Sequence, residues 1–208
     1  MKNCKFLNLA LMLMFFSHLF MSTSAFSASL LDIPLEDVLR RASYIGVIDV
    51  DMLAKDNEKF CSGIVVGKDV TSDKKIQIVL PNTADVKNSG KYFAVLRKAD
   101  VSNFHGRKNC FTEKLAVFTA SAGYQTIFPF GNGVAYPENV ILFRRASIFS
   151  SSRIFPDNDF VTGFYIEPDG IFGAVDFSLV VRHICSNVFN LDTSGVGFDF
   201  CQNNKGLK

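Results

Sequence analysis

Three histidines occur in this chain, and two of them, His105 and His183, lie downstream of an apolar N-terminal stretch, where a folded body can use them. A hydrolytic site needs a nucleophile, a base and an orienting carboxylate that converge in space. His105 stands in Asn103-Phe104-His105-Gly106-Arg107, which reads as a loop between strands, and no Gly-x-Ser-x-Gly elbow accompanies it. Asp49 and Asp51 alternate along one predicted strand and have the spacing to act as paired glycosidase-type carboxylates, although end-of-strand solvent exposure is the commoner reason for such a pattern. His183, beside Arg182, reads as a partly exposed helix residue. Asp157-Asn158-Asp159 opens like a calcium loop, but Val161 and Thr162 occupy the fifth and sixth positions instead of an oxygen ligand and a glycine. A solvated turn accounts for it.

The cysteines carry a different chemistry, and it depends on the N-terminus. Lys2 and Lys5 precede an apolar run from Phe6 to Met21, and small residues follow from Ser22 to Ala28 apart from Phe26. That grammar predicts a secretory signal peptide over residues 1–28, with cleavage near Phe26 or Ala28. The run is shorter than the about 20 apolar residues a membrane span needs, so no stable span is expected after cleavage. Cys4 departs with the leader, which leaves Cys61, Cys110, Cys185 and Cys201. An even number in an exported chain points to two disulfides, with three possible connectivities. Pairing Cys61 with Cys110 and Cys185 with Cys201 closes each bridge within one half of the chain. No C-x-x-C occurs, and His183 is the one close neighbour of a cysteine, so neither a resident metal nor a cofactor is expected.

Charge narrows the partners. Loss of Lys2 and Lys5 takes 22 basic residues down by 2, level with 20 acidic ones, so the mature formal charge falls to zero. Nucleic-acid binding needs clustered cations, and Arg144-Arg145 is too small a spot to supply them. The 22 phenylalanines alongside no tryptophan predict a core packed by large rings without polar handles.

The elements that would hold these residues begin with a helix, where Leu35, Val38 and Leu39 repeat at helical spacing before Arg40-Arg41. Strands are predicted from Tyr44 to Val50, from Phe60 to Val70 with bulges or bends at Gly63 and Gly67, from Lys74 to Leu80, and from Gly90 to Leu96. Weaker strands follow at Leu115 to Ala120 and Tyr124 to Phe130. Val140 to Phe143 is too short for its period to decide between strand and helix. Ser150 to Asp159 reads as a long surface segment. Asp176 caps a helix whose Phe177, Val180, Val181 and Ile184 form one apolar stripe, and a Cys185–Cys201 bridge would staple the tail onto it. Residues from Asn203 onward read as loose.

This order of elements resembles a known module. A helix ending Leu39-Arg40-Arg41-Ala42-Ser43-Tyr44, a hydrophobic strand, a strand opening Phe60-Cys61, a third with Ile76 to Leu80 and a fourth opening Gly90-Lys91-Tyr92 is similar to the netrin-like, or tissue-inhibitor-of-metalloproteinase-like, modules of exported proteins, bacterial ones among them. The similarity covers about Leu35 to Phe118. It implies a five-stranded OB-type barrel. The inhibitory activity of that family depends on a cysteine at the mature N-terminus, and the mature N-terminus predicted here has none.

The resulting expectation is a mostly β protein. Residues 29–130 would form a small OB-like five-stranded barrel with an N-terminal helix, and residues 131–208 a C-terminal β/α appendage with a helix near 176–189. The expected role is that of a secreted or periplasmic, non-enzymatic module that binds another protein on a loop or barrel face, with the oligomeric state left open. Two other classes compete with it: a small exported hydrolase using His105 with Asp49 or Asp51, and a cell-envelope structural protein.

Overall fold

Alternation in the strands translates directly into a closed barrel with two different faces. The computed structural model describes residues 35–51, 61, 63–80, 86, 88–121, 126–131, 133, 136–144, 161–167 and 170–207. The predicted leader, the polar stretch at Lys55 to Lys59 and Asp157 to Asp159 lie outside the described residues. Helix α1, Leu35–Arg40, carries Glu36 and Asp37 in its first turn and Arg40 in its last, the arrangement the helix dipole favours. It leads into β1, Tyr44–Asp51, followed by β2, Ile64–Asp69, β3, Lys75–Val79, β4, Gly90–Lys98, and β5, Ala116–Ala120.

The strands follow the order β1-β2-β3-β5-β4, and β4 returns to pair with β1 and closes a five-stranded, OB-like barrel. β3 and β5 are parallel, and the other barrel pairs are antiparallel. One further strand, β6, Ile127–Pro129, adds to β4 beyond β5. The barrel interior is filled by Ile48 and Val50, Val65, Ile76 and Ile78, Tyr92, Ala94 and Leu96, and Ala120. β4 is buried on both faces, because Phe93 and Val95 point the other way into a second core.

Gly67 does not form the bulge predicted for it. Its pairing to Val50 and Ile76 runs unbroken on both sides. A Cβ there would lie 3.2 Å from Ile78 Cδ1 inside the barrel, so a larger residue would crowd that side chain.

Beyond the barrel, β7, Val140–Arg144, resolves the ambiguous run as a strand and bridges to β6 through Phe130 and Ile141. It joins a three-stranded antiparallel sheet of order β7-β9-β8, where β8 is Val161–Glu167 and β9 is Gly170–Asp176. The β8–β9 hairpin has no counterpart among the predicted strands. Gly173 in β9 lies opposite Phe143, whose ring would come within 2.7 Å of a Cβ at that position. Helix α2, Phe177–His183, is capped by Asp176, whose carboxylate accepts from the Ser178 N–H at 2.7 Å. It continues as a π-helical turn, Ile184–Val188, and the chain ends in α3, Val196–Asn203, and a short 3-10 turn, Lys205–Leu207. The tail expected to be loose is therefore folded, with the Asn204 side-chain amide donating to the Phe200 carbonyl at 2.8 Å.

Most of the buried phenylalanines among the described residues pack outside the barrel interior, whereas Phe118 packs against it. Phe93, Phe128, Phe177, Phe189 and Phe200 gather between the β4–β6 wall and the C-terminal helices, together with Val38 and Leu39 of α1. A five-stranded barrel encloses little volume, and among the described residues its buried interior is built from Ile, Val, Leu and Ala with Tyr92 as the one buried ring. Arg40 ties α1 to this layer by donating to the Val188 carbonyl at 2.6 Å and lying 5.9 Å from the centre of the Phe189 ring.

Candidate functional site

Loop 99–112, between β4 and β5, is held to the barrel by a disulfide, side-chain hydrogen bonds and ring packing. It starts where the Ala99 N–H donates to the Val117 carbonyl at 2.9 Å. Asp100 then caps a 3-10 turn, Val101–Asn103, by accepting from the Ser102 N–H. Hydrogen bonds from Ser102, first its side chain and then its backbone N–H, hold the Asp100 carboxyl below its ordinary value. A second 3-10 turn, Lys108–Cys110, completes the loop. Gly106 sits between the turns at φ +77°, in the left-handed region glycine tolerates.

Three kinds of anchor hold the loop to the barrel. Phe104 and Phe111 lie 5.6 Å apart, centre to centre, and pack with Val101 over Ile64, Val79 and Val117 on the outer wall of β2, β3 and β5. Gln77, 4% exposed, donates from Nε2 to the Cys110 carbonyl at 3.1 Å and accepts the Thr112 N–H at 2.6 Å. The Cys61–Cys110 disulfide crosses from the loop to the approach of β2. OB barrels commonly bind ligands on the β2–β3 face between the β1–β2 and β4–β5 loops. Here the β4–β5 loop lies across that wall, while Ser102, Asn103, His105, Gly106, Lys108 and Asn109 remain exposed.

The residues singled out for chemistry are placed apart. His105 is at the exposed tip of this loop. Asp49 and Asp51 share the solvent-facing side of β1, with Asp49 in register between Lys68 of β2 and Lys91 of β4. Among the described residues, no hydrogen bond or ion pair joins His105 to Asp49. His183 lies at the end of α2, where its Nδ1 is 2.9 Å from the Asn187 side-chain amide. Burial lowers its pKa, and the charge of Glu36 opposes that shift. No group of three or more His, Cys, Asp or Glu side chains that could hold a metal ion occurs among the described residues.

Both bridges form as the within-half pairing predicts. Cys61 joins Cys110 and Cys185 joins Cys201, with Cα atoms 5.5 and 5.6 Å apart. Two disulfides are the chemistry of an oxidising compartment. No helix among the described residues is long and apolar enough to cross a membrane.

Gln77, Phe104 and Phe111 were not marked by their sequence pattern. Gln77 alternates with Ile76 and Ile78 and so reads as a solvent-facing strand residue. Tyr44 is a further case: burial first, and then the charge and hydrogen bond of Asp69, raise its pKa far above the ordinary phenol range, so it stays protonated. Compared with family models, curated proteins and solved structures, the chain matches none.

Proposed function

We propose that this chain is an exported, netrin-like module, secreted or periplasmic, that binds another protein through loop 99–112. The observation that carries this reading is the contrast between the loop's foot and its tip. The foot is locked by a disulfide, by both ends of the Gln77 amide and by two phenylalanines. The tip leaves Asn103, His105, Lys108 and Asn109 exposed. Ordering a mobile side chain at an interface costs about 0.5–1.5 kcal/mol, so a loop fixed before the encounter binds with less loss. The same rigidity suits contact with a protein surface, where backbone position sets complementarity.

Site-specific photo-crosslinking in the secreting host tests it. A crosslinker at His105 or Lys108 should give discrete protein adducts that a crosslinker at Asp199, exposed on α3, does not. Adducts from Asp199 alone, or none from any position, would remove the loop from the interface. Steady turnover in a broad hydrolase panel that His105→Ala abolishes would replace this reading with the hydrolase.

A further inference from the structure

The two disulfides differ in burial, and the difference separates their chemistry. Cys185 and Cys201 are 7% and 5% exposed and sit inside the phenylalanine layer with Val181, Ile184 and Phe200. Cys61 and Cys110 are partly exposed, and Cys110 occupies a short 3-10 turn at the surface. Thiol–disulfide exchange requires a thiolate to reach a sulfur, so access governs which bridge reacts. Cys110 also belongs to the segment that covers Ile64, Val79 and Val117.

We propose that the Cys61–Cys110 bridge is a reducible latch: its reduction by a dithiol releases loop 99–112 and uncovers the apolar wall of β2, β3 and β5, while the Cys185–Cys201 bridge keeps the helical layer intact. The step balances in two exchanges. A thiolate of the dithiol attacks one sulfur of the bridge, the S–S bond breaks, and the departing sulfur leaves as a thiolate that takes a proton from water. The second thiol of the reductant then attacks the mixed disulfide. Cys61 and Cys110 end as thiols, and the reductant, having given up two electrons, ends as its own disulfide.

What remains on the loop after reduction is non-covalent. The two hydrogen bonds of Gln77 and the packing of Phe104 and Phe111 are all at the surface side of β3, each open to exchange with water once the loop lifts. Closure of the barrel does not depend on the bridge, because β1 pairs with β4 along Tyr44 to Val50. The inference stands apart from the binding role, since it is read on the isolated protein.

The experiment is a stepwise titration of the oxidised protein with dithiothreitol at neutral pH, quenched with iodoacetamide and mapped by peptide mass. Hydrogen exchange is followed in parallel. Cys61 and Cys110 should alkylate at a dithiothreitol concentration at least about tenfold below that needed for Cys185 and Cys201. At that concentration, exchange should accelerate in residues 99–112 and not in α2. Simultaneous alkylation of all four cysteines, or earlier alkylation of Cys185 and Cys201, overturns the proposal. Selective reduction that leaves exchange in 99–112 unchanged overturns it equally. The double variant Cys61→Ser, Cys110→Ser should show the fast-exchanging loop without reductant, and the wild-type titration decides if that variant does not fold.

Discussion

The Gln77 side chain accepts the Thr112 N–H at 2.6 Å and donates to the Cys110 carbonyl at 3.1 Å, so one buried amide satisfies two backbone groups of a loop more than 30 residues away. Both ends of the amide are used, and this orients the side chain as well as the loop. The bonds hold the covering segment in place at the centre of the β2–β3 wall.

Gln77→Ala removes the side-chain partner from two partly buried backbone groups, the Cys110 carbonyl and the Thr112 N–H. Each such hydrogen bond contributes about 0.5–1.5 kcal/mol net, so unfolding by denaturant should show a drop of about 1–3 kcal/mol. Hydrogen exchange should speed up in residues 99–112 before any other segment. Unchanged exchange there would remove Gln77 as the loop's anchor.

Phe93 joins the barrel to the helical layer. It is fully buried, with the rings of Phe128, Phe177 and Phe200 at 6.4, 5.8 and 6.4 Å, centre to centre. Phe93→Ala should cost about 3–5 kcal/mol, the range for buried aromatic truncation. Ala94, its neighbour, faces the barrel interior instead. Thermal unfolding followed by both near-ultraviolet and far-ultraviolet circular dichroism should remain one transition, because the Phe93 cluster spans both layers. Two separated transitions would show that the layers unfold independently.

His183 makes stability depend on pH. Burial lowers its pKa in the folded state below the ordinary value of about 6.5. The unfolded chain therefore binds the proton more readily, and folding favours the neutral ring. This contribution is complete above about pH 6.5 and is lost as pH falls through the depressed folded value. A neutral Nδ1 also accepts from the Asn187 amide at 2.9 Å, which a protonated ring cannot do. The melting temperature of the wild type should fall more between neutral and mildly acidic pH than that of His183→Gln. Equal slopes in the two proteins would assign the pH dependence elsewhere.

β3 was legible because Ile76 and Ile78 alternate with Lys75 and Gln77, and β1 and β4 because their apolar, β-rich runs are bounded by turn or polar residues. The Asp176 cap and the apolar stripe of α2 were legible for the same local reason. So were the four bridging cysteines, since an even count needs no geometry. The β8–β9 hairpin was not, because Gly163, Gly170 and Gly173 dilute its pattern and its pairing supplies what propensity lacks. α3 likewise opens on Gly195-Val196-Gly197, a poor helical start, and is held by the burial of Phe200 and by the Cys201 bridge.

The chain by itself determined its periodic segments, its cysteine count and the direction in which each strand residue points, since these are properties of neighbours along the backbone. Only the tertiary structure decided which outward residues are covered. Lys75 and Gln77 point to the same side of β3, yet Lys75 meets water while Gln77 meets a loop from far along the sequence. His105 and Asp49 read first as solvated, with pairing the alternative, and the structure leaves the two exposed, His105 on the loop tip and Asp49 on β1. Burial depends on what the rest of the chain brings to a face, and no local pattern carries that information.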